Sequence, residues 1–430
     1  MNQNTVFTRS TRRKLVPIFI GTFALLACFS SPVVNADSDK SRFKNKLVDF
    51  PAPQADFSAH IADVEAYLLA TRMPQRSAED VAYNLPFEAS ANPQVSYRGK
   101  FMLIHGLNDS PYVWTDVSKQ LTARGYDVRA ILLPGHGNTP EAQLDMSYKR
   151  WVAVARQQLA LWQQESDAPI YLGGFSLGAV IATLLALEQN ETPGLNAERG
   201  VGKEALSTSP VSGLLLFSPA FRSSMNHLLR WSSIYSRFKP WVFGGMIIED
   251  NPTKYNSIPI NGAAQYYKTT RLLARRWKQR SIAVPALLVA SSDDSVVDID
   301  YTLKIFETRF SNDKKQLLLY TNENSPPPNT MLTTRRSAYP EYRILNQSHQ
   351  SVLMSPANPL FGINGSVLVC NGNDWPTFSG CLYHRGEHWF GAQHTPSPDG
   401  TPVARVTYNP DFAGVFNAFD AVFAIATTED

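Results

Sequence analysis

The chain contains 430 residues, of which 43% are hydrophobic and 18% are charged, so it has enough apolar side chains for a large folded core. The formal net charge at pH 7 is +3, which gives no argument for nucleic acid as a partner. This is the composition of a globular protein with one large domain carrying insertions, or with two domains.

The first 36 residues have the pattern of an export signal. Basic residues at 9–14 precede an apolar run at 15–29, which is too short to span a bilayer comfortably. Ordinary signal peptidase would cleave after the small residues VNA at 34–36, and we favour this site. The alternative is the lipobox-like LLAC ending at Cys28, which would give an outer-membrane lipid anchor but is followed by an unusual phenylalanine. Either route predicts a mature chain in the periplasm or cell envelope, or secreted.

Strands and helices are predicted to alternate after an N-terminal extension at residues 37–97. That extension contains one predicted helix, PAPQADFSAHIADVEAYLLATR. In the domain at 98–430 the predicted strands are GKFMLIHG, YDVRAILLPGHG, IYLGG, GLLLFSP, PALLVASSDD and, as the last, EYRILN at 341–346. The helices between them are SPYVWTDVSKQLTARG, YKRWVAVARQQLALWQQ and LGAVIATLLALEQ. In the first of these we expect Ser110 to cap, Pro111 to take the first helical position and Gly125 to follow the end. This order predicts an α/β fold with a mostly parallel, doubly wound sheet.

Two insertions interrupt the alternation. Residues 222–280 are aromatic, basic and helix-prone, and they are predicted to form a cap over the carboxyl edge of the sheet, although an ordinary pair of packed helices fits equally well. Residues 355–410 are rich in Gly, Pro and Asn. The chain then closes with an amphipathic helix in PDFAGVFNAFDAVFAIA.

Only two cysteines remain once Cys28 is cleaved off or lipidated. In an oxidising compartment Cys370 and Cys381 most simply form a disulfide. A zinc site is the alternative, because HRGEH at 384–388 matches the H-x-x-E-H pattern. That pattern needs a helix, which Gly386 in a Gly- and Asn-rich insertion disfavours, so we predict a disulfide and no metal.

The stretch YLGGFSLGAV at 171–180 places three glycines around a single serine, Ser176. It joins a predicted buried strand to a predicted helix, and residues 174–178 fit the G-x-S-x-G pattern of a nucleophile elbow. Such an elbow lifts the hydroxyl of Ser176 out of the sheet, while the glycines allow neighbouring elements to approach. A glycine-rich loop with a solvent-facing serine is the plainer interpretation.

A serine hydroxyl needs a base, and the base needs a third group to orient it. Reactive loops in open α/β sheets follow the carboxyl ends of strands. Asp293 and Asp294 follow PALLVAS, and His349 follows EYRILN. The order serine, aspartate, histidine along the chain is the one expected of a nucleophile-elbow fold.

These motifs together resemble the α/β-hydrolases, and among them the serine esterases of the monoacylglycerol lipase type and the serine aminopeptidase-like hydrolases. The resemblance covers residues 98–353 and the final helix. It rests on HGLNDSPYVW at 105–114, LPGHG at 133–137, GFSLG at 174–178, DDSVVD at 293–298 and SH at 348–349.

The resemblance implies a role for each matched residue. Ser176 would be the nucleophile, His349 the general base and acid, and Asp294 the orienting carboxylate. Asp294 fits better than Asp293 because one variable residue and two apolar residues follow it, as in related hydrolases. The backbone N–H groups of Leu107 and Leu177 would bind the oxyanion. His105 and His136 would brace the site.

The sequence therefore predicts an exported serine hydrolase of carboxylic esters that needs no metal or organic cofactor and acts on a small acyl ester. Apolar side chains of the cap, Trp231, Trp241 and Phe243, are weak candidates for the substrate pocket. An aminopeptidase-like enzyme is the nearest rival and would use acidic cap residues, for which Glu249 and Asp250 are the nearby pair. A thioester hydrolase and a catalytically silent surface-binding protein on the same fold are further alternatives.

Overall fold

An eight-stranded sheet forms the centre of the computed structural model, which describes residues 49–74, 76–189, 210–242, 251–323, 331–370, 381 and 388–423. Leu47–Asp430 form one compact unit, whereas Met1–Lys46, with the predicted export signal, lie outside the described residues. In the described part of the chain, no helix is both long and apolar enough to cross a membrane.

The strands of the sheet are β1 Phe87–Ala89, β2 Gly99–Ile104, β3 Tyr126–Ile131, β4 Ile170–Phe175, β5 Val211–Phe217, β6 Ala286–Ser291, β7 Lys315–Thr321 and β8 Leu332–Arg336. Their order in the sheet is β1-β3-β2-β4-β5-β6-β7-β8. Only β1 runs antiparallel to its neighbour, and all other pairs in this sheet are parallel. The predicted α/β fold with a mostly parallel sheet is confirmed.

Side chains alternate between two apolar cores, one on each face of the sheet. Along β2, Phe101 and Leu103 belong to one core, and Met102 and Ile104 belong to the other. Because both faces are covered, the strands read as continuous apolar runs. The helices are α1 Phe57–Thr71, α2 Ala78–Ala82, α3 Thr115–Thr122, α4 Tyr148–Gln164, α5 Leu177–Gln189, α6 Asn226–Leu229, α7 Ser232–Tyr235, α8 Ile260–Arg276, α9 Ile299–Arg309 and α10 Phe412–Phe423.

The predicted last strand is wrong. Within 341–346 the chain leaves a 3-10 turn at Pro340–Tyr342, passes through Arg343 at φ 54°, and makes only isolated bridges from Ile344. The sheet ends instead on β7 and β8, and neither of these strands was predicted from the sequence. The edge strand β8 has the sequence LTTRR, and its weak apolar pattern reflects its partial exposure at the sheet edge.

The helix after β2 is also shorter than predicted. Pro111–Trp114 form a 3-10 turn, and α3 begins only at Thr115. Ser110 stands at the cap position, but its hydroxyl makes no cap bond and donates to the carbonyl of Tyr83 instead (3.2 Å). Gly125 follows the helix end at φ 86°, as expected.

The two insertions have distinct structures. Residues 222–280 contain α6, α7 and α8, and α8 packs against α4 and α5. In the insertion 355–410, the short strands β9 Trp389–Gly391 and β10 Val403–Arg405 pair in parallel. Cys370 and Cys381 form the predicted disulfide, with an S–S distance of 2.01 Å. Residues 384–387 of HRGEH lie outside the described residues.

Candidate active site

Ser176 occupies the sharp turn between β4 and α5. Its backbone has φ 55°, a left-handed conformation that is uncommon for a residue with a Cβ. The Ser176 N–H donates to the carbonyl of Phe217 (3.1 Å), which ties the turn to the next strand. A Cβ at Gly178 would lie 1.9 Å from the carbonyl oxygen of Ile104, so only glycine allows α5 to approach β2 this closely. The strand, turn and helix predicted from G-x-S-x-G are all present.

Asp294 and His349 come together at the carboxyl edge of the sheet. Asp294 Oδ2 lies 2.6 Å from His349 Nδ1. The other carboxylate oxygen accepts from the backbone N–H groups of Val296 (2.8 Å) and Val297 (3.2 Å), which fixes the orientation of the carboxylate. An imidazole held in this way at Nδ1 has Nε2 available to act as a base.

The neighbouring aspartates make other contacts. Asp293 Oδ2 accepts from the hydroxyl of Ser337 (3.2 Å). Asp298 caps α9 through the N–H of Tyr301 (2.9 Å) and pairs with Arg222 (2.7 Å). Of the three aspartates, the geometry therefore favours Asp294 as the partner of His349.

The turn after β5 links the serine to the histidine. Ser218 Oγ donates to the carbonyl of His349 (2.7 Å), and the N–H of Ala220 donates to the carbonyl of Ser176 (3.3 Å). The ring of Phe175, which directly precedes Ser176, lies 5.0 Å from the His349 imidazole, centroid to centroid. The three predicted triad residues thus lie at one edge of the sheet, although they come from distant parts of the sequence.

The loop after β2 passes directly beside this turn. A Cβ on Gly106 would lie 3.2 Å from Ser176 Cβ. The N–H of Leu133 donates to His105 Nε2 (3.0 Å), so the proton of His105 resides on Nδ1 and is donated to the carbonyl of Gly106 (2.8 Å). Because the C=O and N–H of a trans peptide point in opposite directions, this bond turns the Leu107 N–H away from His105.

Both buried histidines of these loops are held neutral. Burial lowers the pKa of His105 well below its usual value, and the nearby His136 adds to this effect. Burial also lowers the pKa of His136 to about 4. Their rings lie edge to face at 4.8 Å, which supports the predicted bracing role.

The comparison with protein families decides the classification. The model of the alpha/beta hydrolase family matches residues 101–357, which is more than half of the chain. The chain belongs to the α/β-hydrolase family.

Solved hydrolase structures align with this family member at low identity. A monoglyceride lipase from Saccharomyces cerevisiae aligns at 13% identity and a TM-score of 0.43, over 55% of this chain and 82% of that one. A monoacylglycerol lipase from Paleococcus ferrophilus aligns at 17% identity and a TM-score of 0.41, over 55% of this chain and 89% of that one. A structure from work on LipS and LipT, two metagenome-derived lipolytic enzymes, aligns at 18% identity and a TM-score of 0.43, over 58% of this chain and 91% of that one. No curated protein matches the sequence.

In this α/β-hydrolase the segment 222–280 contacts the loop that follows β2. Lys254 Nζ pairs with the buried carboxylate of Asp109 (2.9 Å), and the N–H of Tyr255 donates to the carbonyl of Asn108 (3.0 Å). Burial raises the pKa of Asp109 even though Lys254 opposes the shift. The pair therefore joins the segment 222–280 to the loop that carries Leu107.

Of the three weak pocket candidates, the structure describes Trp231 and Trp241. Trp231 is 47% exposed, Trp241 is half-buried and bridges Pro259, and Phe243 lies outside the described residues. Glu249 and Asp250, which an aminopeptidase would use, also lie outside the described residues.

The residues that support the loop around His349 were not predicted from the sequence. Ser348 Oγ donates to the carbonyl of Val406 (2.7 Å), and Asn346 Oδ1 accepts from the N–H of Ala392 (2.7 Å). The carbonyl of Phe390 accepts from the N–H of Leu345 (2.8 Å). All of these partners belong to the insertion 355–410, whose composition carries no signal for such contacts.

Proposed function

We propose that this α/β-hydrolase cleaves carboxylic esters through an acyl-enzyme on Ser176. Ser176 Oγ attacks the ester carbonyl while His349 Nε2 takes its proton, and Asp294 stabilises the resulting imidazolium. His349 then gives the proton to the departing alcohol. Water, activated by the same histidine, hydrolyses the acyl-enzyme. This chemistry needs no metal or organic cofactor.

The observation that carries the proposal is the 2.6 Å contact between Asp294 and His349, at the same sheet edge as a serine with φ 55°. A surface aspartate and a loop histidine have no reason to meet beside a strained serine. Strained backbone costs free energy and is concentrated at functional sites.

The oxyanion would lie between the N–H groups of Leu107 and Leu177. Leu177 is the first residue of α5, where backbone N–H groups have no partner within the helix. His105 and Gly106 orient the peptide that carries the Leu107 N–H. Removing one such donor costs about 3 to 4 kcal/mol of transition-state stabilisation in well-studied hydrolases.

The proposed substrate is a small ester with an acyl chain, of the monoacylglycerol type or similar. Within 222–280 only Glu249 and Asp250 are acidic, and so few acidic residues favour an acyl ester over a peptide with a free amine. The disulfide and the signal-like residues 1–36 support export to an oxidising compartment. A chain lipidated at Cys28 would be anchored to the membrane, and a chain cleaved after residue 36 would be free.

The test is labelling with a fluorophosphonate probe, followed by an acyl-length series of p-nitrophenyl esters. We expect the wild type to react and Ser176→Ala to fold, as judged by circular dichroism, without labelling or hydrolysis. Undiminished labelling of Ser176→Ala would refute the assignment of the nucleophile.

The same substrate panel separates the rival activities. Faster turnover of aminoacyl p-nitroanilides than of any fatty-acyl ester would indicate an aminopeptidase, and a preference for acyl thioesters would indicate a thioester hydrolase. A folded wild type without labelling or turnover would indicate a catalytically silent binding protein.

A further inference from the structure

The start of the cap turns apolar side chains towards solvent. Six large side chains at residues 225–238 are between 44% and 78% exposed. They follow one another at intervals of three residues, except for one adjacent pair at 234 and 235. We call this set the apolar cap face. It consists of Met225, Leu228, Trp231, Ile234, Tyr235 and Phe238.

The opposite side of the same stretch packs against the rest of the protein. Leu229 packs against the core of the sheet, and Ser232 is buried. The exposed apolar side chains are therefore not needed to attach this segment to the domain. Clustered exposed apolar residues of this kind mark an interaction surface.

Positive charge surrounds the apolar cap face. Arg230 and Arg237 are exposed within it, and Lys268, Arg271 and Arg275 share an exposed face of α8, which packs against α6 and α7. Residues 222–280 contain eleven Lys and Arg but only two acidic residues, a net charge of +9. Since the whole chain carries +3, the remainder carries −6, so the cationic character belongs to this segment.

The apolar cap face begins beside the loop of Asp294. The N–H of Ser224 donates to the carbonyl of Val296 (3.0 Å), and Ser224 Oγ donates to the carbonyl of Ser295 (2.6 Å). Val296 is itself exposed, which extends the apolar surface towards the candidate site.

We propose that the apolar cap face docks onto a bilayer that contains anionic phospholipids. Apolar side chains would enter the region between headgroups and acyl chains, and the surrounding Lys and Arg would pair with the phosphates. A second copy of this chain fits less well, because two segments of net charge +9 would repel each other. Docking itself does not require Ser176. If the proposed ester hydrolysis holds, docking would bring bilayer-borne esters beside the Asp294 loop.

The test is co-sedimentation of the mature chain, residues 37–430, with sucrose-loaded vesicles. Starting at residue 37 removes both Cys28 and the apolar run at 15–29, which would itself bind a bilayer, and Ser176→Ala keeps the vesicle lipids intact. Vesicles of phosphatidylcholine are compared with vesicles that also contain about 30% phosphatidylglycerol. We expect at least about tenfold tighter binding to the anionic vesicles at about 0.1 M NaCl, and most of that gain lost at about 0.5 M.

Variants separate the apolar and cationic contributions. Leu228→Ser with Phe238→Ser should weaken binding at least about tenfold. Arg230→Gln and Arg237→Gln should each weaken it about fivefold. The matched controls are Ile363→Ser with Leu368→Ser, two exposed apolar residues elsewhere, and Lys119→Gln, and all should bind like the parent. If the double apolar variant does not fold, Phe238→Ser alone and the arginine variants supply the same comparison.

Three results would overturn the proposal: no binding to anionic vesicles, equal binding to both vesicle types, or binding that the apolar and arginine variants leave unchanged. A stable dimer by light scattering that Phe238→Ser dissociates would also overturn it, since the face would then bind a second copy. Hydrolysis of a soluble ester is measured in a separate assay, with Ser176 restored in the parent chain and in the same cap variants. If the parent chain with Ser176 does not hydrolyse the ester, the proposed ester hydrolase activity is contradicted, while the vesicle-binding result remains valid.

Discussion

The turn at Ser176 and the loop at His349 are built in opposite ways. The serine turn is made by its own sequence, because Gly178 allows α5 to approach β2 and the strand before it is central in the sheet. The histidine loop has no regular structure of its own beyond short turns, and it is held by hydrogen bonds to an insertion some forty to sixty residues later. One half of the candidate site therefore depends on local chemistry and the other on long-range packing.

The largest expected effect comes from breaking the contact that joins the two halves. Asp294→Asn should lower kcat on the order of 10⁴-fold, because an amide leaves the imidazolium without a stabilising charge and favours the wrong tautomer. Asp293→Asn should cost less than about tenfold, since its carboxylate contacts Ser337 instead. Steady-state kinetics on ester substrates, with circular dichroism as the folding control, would contradict this if the two variants ranked in reverse.

The serine turn should be sensitive to volume. Gly178→Ala would bring a Cβ within 1.9 Å of one backbone carbonyl oxygen and 2.6 Å of the next, so the backbone must move. We expect a loss of about 3 kcal/mol or more in the free energy of unfolding, measured by denaturant titration. Gly400→Ala is the control, because no atom lies within 4 Å of its added Cβ and only its φ of 77° should cost about 1 kcal/mol. Equal stability of the two variants would argue against a close approach at Gly178.

The histidine loop should instead be sensitive to the insertion. Cys370 and Cys381 pack with Ala404 and Phe390, and the carbonyl of Phe390 accepts from the histidine loop through Leu345. Replacing both cysteines by serine should lower the free energy of unfolding by about 3 kcal/mol in the chain-entropy model. Reduction of the wild type should lower the free energy of unfolding by the same amount, whereas a reductant should not affect the double variant. These two results together would assign the loss of stability to the disulfide. A double variant as stable as the wild type would mean that the disulfide does not support the insertion.

The smallest expected effect tests one hydrogen bond of that support. Ser348→Ala removes the bond to Val406 and should cost about 1 kcal/mol of stability. If the bond also positions His349, kcat should fall while KM changes little. Ser366→Ala, at an exposed serine of the same insertion, should change neither value. A Ser348→Ala variant with full kcat would limit the insertion to a purely structural role.

The sequence by itself determined the features that depend on neighbouring residues. The elbow at Ser176 and the alternation of strands and helices follow from glycine placement and apolar runs, which act over a few residues. The fold class and the order of the triad candidates could therefore be predicted. Spacing also favoured Asp294 over Asp293, and the contact between Asp294 and His349 agrees with that choice.

Only the tertiary structure decided how the histidine loop is held and where the sheet ends. The apolar run around Ile344 resembles a strand, but Pro340 and the left-handed Arg343 turn the chain, and its hydrogen bonds go to Phe390 in the insertion. The exposure of Trp231 and Phe238 could not be predicted from the sequence either. An apolar stripe has the same spacing whether it faces a core or solvent. Periodicity shows which residues share a face, and only packing between distant segments determines what that face contacts.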